Sequence, residues 1–230
     1  MSLADVTYDA PKRRGRPATA PQDAATYQRL IRAGLVHLTE RGYSAVGLDM
    51  ILTHARVPKG SFYHYFPNKA AFGRAAIAAY RAYFVAKMER HLSDDSLAPL
   101  ARVAAFAAAA EAGMARHGFR RGCLIGNLGQ EMGALPEEFR ADLIATLEDW
   151  QARLARVLQL AQNQGEISPH QNPADLAQMF WIGWEGAVLR AKLERGPAPL
   201  RLFAAQFLAQ LNTTPKGDAH VRCHRNQQRG

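Results

Sequence analysis

Cationic and hydrogen-bonding side chains are concentrated in one short segment of the chain, KGSFYHY. Lys59 carries a positive charge, and Ser61, Tyr63 and His64 carry hydroxyl and imidazole groups. Gly60 has no side chain, so the backbone can approach a partner closely. Donors of these kinds bind the phosphate oxygens and base edges of DNA, and the segment therefore predicts a DNA-contacting surface.

A cysteine that follows two arginines is the second place where the sequence indicates chemistry. Cys123 comes directly after Arg120, Arg121 and a glycine, and neighbouring cations lower the pKa of a thiol and raise its thiolate fraction. A thiolate attacks electrophiles, including activated alkenes. The open alternative is a thiol that only lines a pocket or fills the core, because free cysteines are among the most buried residues.

An enzyme built on Cys123 with His117 as its base is the rival from another class of protein. The two residues stand six positions apart, with no orienting acid evident and no strand framework around them. We predict a protein that is not an enzyme and that needs no cofactor and no metal. The donors of the C-terminal tail, His220, Cys223 and His224, are weak evidence for a metal site.

The run KRRGRP at residues 12–17 lies just ahead of the predicted DNA-contacting region. An extended Arg14-Gly-Arg16-Pro segment is narrow enough for a DNA minor groove, and both arginines favour a narrow A/T-rich floor. The run resembles the core of an AT-hook. The alternative is a flexible basic arm that adds only non-specific attraction to phosphates.

The elements that must position these side chains are helices, because the apolar spacing is helical nearly throughout and strand alternation is almost absent. Leu48 to Ala55 predicts a short helix, a tight turn follows, and Pro67 ends the next short helix. Asn68 is a natural N-cap for a long helix that reaches about His91. A first helix is predicted to stop at Gly42, and later helices are predicted over about 97–116, from Pro136 to near Gly165, from Asn172-Pro173, and over 200–211, around a glycine-punctuated stretch at 117–131. The pattern predicts an all-α fold.

Charge is distributed unevenly along the 230 residues. Residues 1–91 hold 14 basic and 6 acidic residues, a net charge of +8, whereas residues 92–211 hold 11 and 13, a net charge of −2. The positive excess lies in the same part of the chain as the predicted DNA-contacting segment. This coincidence favours a polyanionic partner over a basic face that is merely solvated.

Composition excludes several other classes of protein. No apolar run reaches the roughly 18 residues that span a bilayer, and no apolar stretch follows the first charges as it does in a secretory signal. Two cysteines cannot build a disulfide framework. We expect a cytoplasmic protein that does not enter a membrane.

Two short helices around a tight turn form a helix-turn-helix, whose second helix enters a DNA major groove. Many three-helix bundles share that geometry. The run GYSAVGLDMILTHARVPKGSFYHYFPNKAAF, however, resembles the DNA-binding domain of TetR-family repressors, with their Val-x-Lys-Gly-x-aromatic-Tyr-x-x-Phe-x-x-Lys pattern. The matching positions are Gly42, Tyr43, Ile51, Ala55, Val57, Lys59, Gly60, Tyr63, His64, Phe66 and Lys69.

Three positions depart from the family's common form. Arg56 replaces a turn glycine, Pro58 replaces a capping serine, and Gly47 replaces a Ser/Thr that often touches phosphate. The resemblance therefore does not carry over a phosphate contact at Gly47. We expect Arg56 to supply a cation in its place, and Lys69 to neutralise another phosphate.

The segments HGFRRGCLIGNLGQE and FWIGWEGAVLRAKLE resemble the effector domain shared by two TetR subgroups. One subgroup represses acrylate and dimethylsulfoniopropionate breakdown and responds to acrylate, and the resemblance to it is the closer of the two. The other subgroup senses electrophiles and hypochlorite. In the latter, the cysteine and lysine that match Cys123 and Lys192 join reversibly on oxidation, so the resemblance implies a similar switch here.

The residues around the predicted sensor site leave alternatives open. A non-covalent carboxylate site is as consistent with the sequence as a reactive thiol, with Lys192, Arg121 or Arg190 as its cation. Trp184 and Glu185 belong either to the ligand site or to the core, and a buried Glu185 needs Lys192 or an arginine as a partner. Other residues with two interpretations are Trp181, as core or ligand contact, and Asn127, as helix cap or ligand contact.

We predict a homodimeric repressor with a flexible basic arm at 1–16, a helix-turn-helix domain at 17–68, a connecting, ligand-binding and dimerising region at 69–211, and a disordered tail at 212–230. The resemblance implies a four-helix interface between the last two long helices of each chain, and a palindromic operator in double-stranded DNA. An inducer, acrylate or a related electrophile, would tilt the connecting helix and release the operator. A non-specific architectural DNA binder is the second rival, and it leaves the apolar C-terminal half unexplained.

Overall fold

The computed structural model describes residues 25–211. The basic arm with Arg14 and Arg16, the tail, and the three potential metal donors of the tail lie outside the described residues. Nine α-helices and a short 3-10 turn make up the described part, which contains no strand. The helices are α1 Ala25–Arg41, α2 Leu48–Ala55, α3 Lys59–Tyr65, α4 Lys69–Leu92, α5 Pro99–Ala115, α6 Leu124–Gln130, α7 Glu138–Asn163, α8 Pro173–Glu194 and α9 Ala198–Leu211. The predicted all-α fold is confirmed.

Local capping rules account for the starts of two long helices. The side chain of Asn68 accepts a hydrogen bond from the backbone N–H of Ala71 at 2.8 Å, which caps α4. Asn172 accepts from the N–H of Ala174 at 2.9 Å, and the proline that follows it opens α8. Each carboxamide satisfies one of the N–H groups that a helix start leaves without a partner.

Helix α6 was not predicted, because it contains two glycines and only seven residues. It forms because Leu124, Ile125 and Leu128 are buried against neighbouring helices. Burial of three large apolar side chains contributes roughly 5 kcal/mol, which exceeds the cost of about 1 kcal/mol for each glycine. Tertiary packing therefore overrides the low intrinsic helix propensity of this segment.

Helices α4, α5, α7 and α8 enclose an aromatic core. The rings of Trp150 and Trp181 lie 5.0 Å apart, and Phe84 lies 4.4 Å from Trp150, measured between ring centroids. Phe180 stacks on Trp184 at 5.6 Å. Trp181 is buried in this cluster, so it is a core residue rather than a free wall of a ligand site.

Helices α1, α2 and α3 pack around a smaller apolar centre at the other end of the molecule. Phe62 is fully buried and contacts the rings of Phe66 and Phe72. A Cβ atom at Gly34 would lie 2.3 Å from Phe72, so only glycine lets α1 approach α4 this closely. This packing fixes the orientation of α3. Within residues 25–211, no helix combines the length and the apolar character that crossing a bilayer requires.

Candidate DNA-binding surface and ligand cavity

The three positions that depart from the family's usual sequence lie at the ends of α2 and at the start of α3. Arg56 adopts a left-handed conformation with φ 53° and ψ 50°, which glycine reaches at no steric cost and other residues reach at about 1 kcal/mol. Pro58 is the N-cap of α3 and Gly47 that of α2, and neither cap makes a side-chain hydrogen bond. The turn thus keeps its geometry although its usual residues are absent.

The outward face of α3 is open to a partner. Lys59, Gly60, Tyr63 and His64 are exposed, and half of the Tyr63 side chain is accessible to solvent. A Cβ atom at Gly60 would meet nothing within 4 Å. Ser61 is partly buried beside them. The structure brings the predicted DNA-contacting residues of α3 together, while their contacts with DNA remain predictions.

Lys69 occupies a different position, under the loop between α1 and α2. Its Nζ donates a hydrogen bond to the carbonyl of Tyr43 at 2.9 Å and lies 4.2 Å from the centroid of the Tyr43 ring. Burial lowers the pKa of Lys69, and the nearby Glu131 opposes that effect. The lysine therefore ties the start of α4 to this loop, and its predicted phosphate contact remains untested.

A cavity of about 390 Å³ lies between α1, α4, α5, α8 and residues 121–123. Most of its wall is apolar and aromatic, and several cations stand on it. The wall consists of Arg32, Leu35, Val36 and Thr39 of α1; Tyr80, Tyr83, Phe84 and Lys87 of α4; Ala110, Gly113, Met114, Arg116 and His117 on and after α5; Arg121, Gly122 and Cys123; and Trp184, Glu185 and Val188 of α8. Four predicted ligand-site residues line it: Cys123, Trp184, Glu185 and Arg121. Because α1 belongs to the DNA-reading end, a ligand in this cavity touches that end directly.

The thiol of Cys123 lies beside the side chains of Tyr80 and Glu185 on the cavity wall, and both influence its pKa. Burial raises the pKa of Cys123 well above its ordinary value, and the Glu185 carboxylate raises it further. Burial also raises the pKa of Glu185 to about 7, although part of its side chain reaches the cavity surface. A Cβ atom at Gly126 would lie 2.1 Å from Glu185 Oε2, so glycine makes room for the carboxyl group.

The predicted activation of the thiol by neighbouring arginines is therefore wrong. Arg120 is exposed, with its Nε 3.9 Å from Glu40 Oε1, and Arg121 lines the cavity, but burial and Glu185 dominate the pKa of Cys123 and raise it. The nearest charge to the thiol is instead an acid, which favours the neutral thiol. The partner of Glu185 is likewise this thiol, rather than the predicted Lys192 or an arginine.

Asn127 caps the C-terminal end of α1. Its Nδ2 donates hydrogen bonds to the carbonyls of Leu38 at 3.1 Å and Thr39 at 2.9 Å. The Thr39 carbonyl also accepts from the backbone N–H of Gly122 at 3.0 Å and from Lys192 Nζ at 3.5 Å. One carbonyl at the end of α1 is therefore held by three donors from the ligand-binding half.

Lys192 lies behind the cavity rather than on its wall. Its Nζ is 3.4 Å from Asn127 Oδ1, and burial lowers its pKa, with Arg195 adding to the effect. Lys192 and Cys123 do line one common gap, of about 10 Å³. A gap of that size holds about one water molecule at most.

Glu131, just after α6, was missed by sequence reasoning. Its Oε1 accepts the backbone N–H of Tyr43 at 2.9 Å, and its Oε2 accepts that of Ser44 at 2.7 Å. Cys123 stands at the other end of α6 as its N-cap. The helix thus joins the cavity at one end to the α1–α2 loop at the other.

Known proteins are similar to this chain in sequence and in architecture. The sequence pattern described as "Bacterial regulatory proteins, tetR family" matches residues 30–76, and "Tetracyclin repressor-like, C-terminal domain" matches residues 99–207. The chain is 60% identical over 209 residues to the transcriptional regulator AcuR of Cereibacter sphaeroides, covering 90% of this chain and 95% of that protein. It is 33% identical over 176 residues to the HTH-type transcriptional repressor DhaR of a Mycobacterium species, covering 76% and 87%.

Solved structures agree with these relationships. The regulatory protein TetR from Rhodobacter sphaeroides is 61% identical, with a TM-score of 0.80 over 81% of this chain and 98% of that one. The reduced form of NemR from Escherichia coli is 29% identical, with a TM-score of 0.76 over 84% and 100%. By its DNA-reading helices, its effector helices and its overall sequence, the chain belongs to the TetR family of transcriptional regulators.

Proposed function

We propose that this protein is a homodimeric repressor that binds a palindromic operator and is released from it by a small inducer, with acrylate as the first candidate. The observation that carries the proposal is the cavity whose wall is shared by α1 and the effector helices. The 60% identity to AcuR and the effector-domain resemblance favour acrylate, and with it control of acrylate and dimethylsulfoniopropionate breakdown.

The dimer is supported by an exposed apolar stripe on α8. Met179, Ile182, Leu189 and Leu193 are three, seven and four residues apart, which places them on one face of the helix, and Ile182 and Leu193 are 69% and 70% exposed. Exposed apolar patches of this kind mark protein interfaces. Pairing of α8 and α9 with those of a second chain would bury the stripe and relate two α3 helices by a two-fold axis.

Operator release follows from the connections between the cavity and α1. Asn127, Gly122 and Lys192 hold the end of α1 through the Thr39 carbonyl, and Glu131 holds the following loop. A ligand that separates α1 from these groups changes the orientation of α3 and the distance between the two recognition helices. Release then requires that the inducer prefers the dimer geometry that does not fit the operator.

The test is an operator-binding titration with the full-length protein. We expect specific binding to a duplex from the gene's own upstream region, measured by fluorescence anisotropy, and reversal by millimolar acrylate. Propionate, the saturated analogue, is the matched ligand control. Undiminished binding across the whole acrylate range would exclude acrylate. Equal binding to a scrambled duplex without any ligand response would instead favour the architectural DNA binder.

Electrophile or hypochlorite sensing through Cys123 is the second candidate. Its support is that Cys123 and Lys192 line the same small gap, although burial raises the pKa of the thiol and disfavours the thiolate. We expect Cys123→Ser to blunt operator release by N-ethylmaleimide, with Cys223→Ser as the matched control. A Cys123→Ser protein that releases the operator as readily as the parent would rule out a thiol switch.

A further inference from the structure

Two cations face one point on the cavity wall, above the backbone of Gly113. A Cβ atom at Gly113 would lie 2.8 Å from Lys87 Nζ and 3.7 Å from Arg116 Nη2. The two charged groups are therefore no further apart than the sum of these distances. Lys87 comes from α4 and Arg116 follows α5, so the missing side chain at Gly113 leaves a small cradle between two helices.

The cradle has no anion of its own. Burial lowers the pKa of Lys87, and the two charged neighbours that lower it further, Arg116 and Arg90, are both cations. In the described part of the chain, the ion pairs within 4 Å include neither Lys87 nor Arg116. Two like charges beside an apolar wall repel each other unless an anion lies between them. An ammonium and a guanidinium side by side match the two oxygens of a carboxylate.

The cavity has room for a carboxylate larger than acrylate. Acrylate occupies roughly the volume of three water molecules, about 90 Å³ at ~30 Å³ each, whereas the cavity measures about 390 Å³. Cavities of roughly this size hold drug-sized ligands. The wall beyond the cradle carries the rings of Tyr80, Phe84 and Trp184, which favour a flat, aromatic ligand body.

We propose that the cavity binds an aromatic carboxylate, with its carboxylate between Lys87 and Arg116 over Gly113 and its ring against Phe84 and Trp184. The assignment rests on the proposed function, because it names the ligand class of the same cavity. Lys87 lies on the connecting helix α4, so the carboxylate pulls directly on the helix that carries the DNA-reading end.

The probe is trans-cinnamate, which is acrylate with a phenyl ring, and its uncharged isostere is cinnamamide. Binding to the full-length protein is measured by calorimetry and by quenching of tryptophan fluorescence. We expect cinnamate to bind about tenfold more tightly than cinnamamide, because hydrogen bonds to a charged group are stronger than those to a neutral amide. We also expect it to bind about tenfold more tightly than acrylate, because its phenyl ring is buried against the aromatic wall. Equal affinity for cinnamate and cinnamamide would overturn the proposal.

Three variants locate the carboxylate. We expect Lys87→Met to weaken cinnamate about tenfold while leaving cinnamamide unchanged, which a merely misfolded protein would not do. Gly113→Ala is expected to weaken cinnamate as well, because its methyl group occupies the cradle. Arg90→Met is the matched control, since Arg90 is exposed and does not line the cavity. Full cinnamate affinity in Lys87→Met would refute the site.

Operator release separates this proposal from the proposed function. If acrylate releases the operator and cinnamate does not bind, the aromatic assignment fails and the inducible repressor stands. If cinnamate binds through Lys87 and neither compound releases the operator, the site is supported and induction through this cavity fails.

Discussion

Replacing Glu185 by glutamine gives the sharpest test of the raised pKa of this buried carboxyl group on the cavity wall. Burial raises the pKa of Glu185 from its ordinary 4.5 to about 7, while the hydrogen bond with Cys123 opposes that rise. Below about pH 4.5 the carboxyl group is protonated in both the folded and the unfolded chain. Between about pH 4.5 and 7 the unfolded chain loses this proton and the folded protein keeps it. Glu185 therefore lowers the stability of the fold as the pH rises through this window.

The size of the effect follows from the two pKa values. Each pH unit in the window costs about 1.4 kcal/mol, so the free energy of unfolding falls by about 3 kcal/mol in total. Glutamine has the shape of the protonated acid and does not titrate. We therefore expect the unfolding free energy of Glu185→Gln, relative to the parent, to rise by about 2.5 kcal/mol between about pH 5 and about pH 8.

Urea unfolding followed by tryptophan fluorescence measures this difference at a fixed protein concentration. Burial and neighbouring arginines lower the pKa of His117, and burial and His54 lower that of His37, so both groups also make stability depend on pH. Their contributions are common to parent and variant and cancel in the comparison. A difference in unfolding free energy that stays constant with pH would show that Glu185 ionises freely in the folded protein. That result would refute the raised pKa of Glu185.

Three further changes test other parts of the molecule. Glu131→Gln weakens the acceptor of two backbone N–H groups, so we expect urea unfolding to show a loss of about 1–2 kcal/mol, with exposed Glu148→Gln as the control. Arg56→Gly relieves a left-handed arginine but removes a cation. We expect about 1 kcal/mol of added stability with weaker operator binding, and unchanged binding would exclude an Arg56–phosphate contact. Ile182→Glu places a charge in the apolar stripe and should give monomers in sedimentation, whereas Leu160→Glu, an exposed leucine on α7, should not.

Much of the helical architecture was predictable because its signals are local. Asn68 and Asn172 cap helices through atoms two or three residues away, and Pro67 stops α3 by its own geometry. Helix α7, in contrast, begins at Glu138 rather than at the predicted Pro136. Helix α6 could not be predicted from its glycine-rich sequence, because it forms only where other helices bury its apolar side chains.

The site was harder to predict, because its chemistry depends on which helices meet. The sequence predicted Cys123 and Glu185 as residues of the site. The two arginines before Cys123 predicted a lowered thiol pKa, whereas burial and Glu185 raise it. The sequence is compatible with Asn127 as a helix cap or as a ligand contact. Its hydrogen bonds to α1, 88 and 89 residues away along the chain, show that it caps a helix. Lys87 and Glu131 carry no local sequence signal, since their partners lie on other helices.

The shared wall of the proposed inducer cavity restricts how a new inducer preference can arise. Arg32, Leu35 and Thr39 line the cavity from the same helix that supports the DNA-reading end, so we expect a substitution there to alter selectivity and operator affinity together. Met114 and Val188 line the cavity from helices that do not contribute to that end. Diversification toward new inducers, in nature or in a designed biosensor, is therefore expected to accumulate on α5 and α8 and to spare α1.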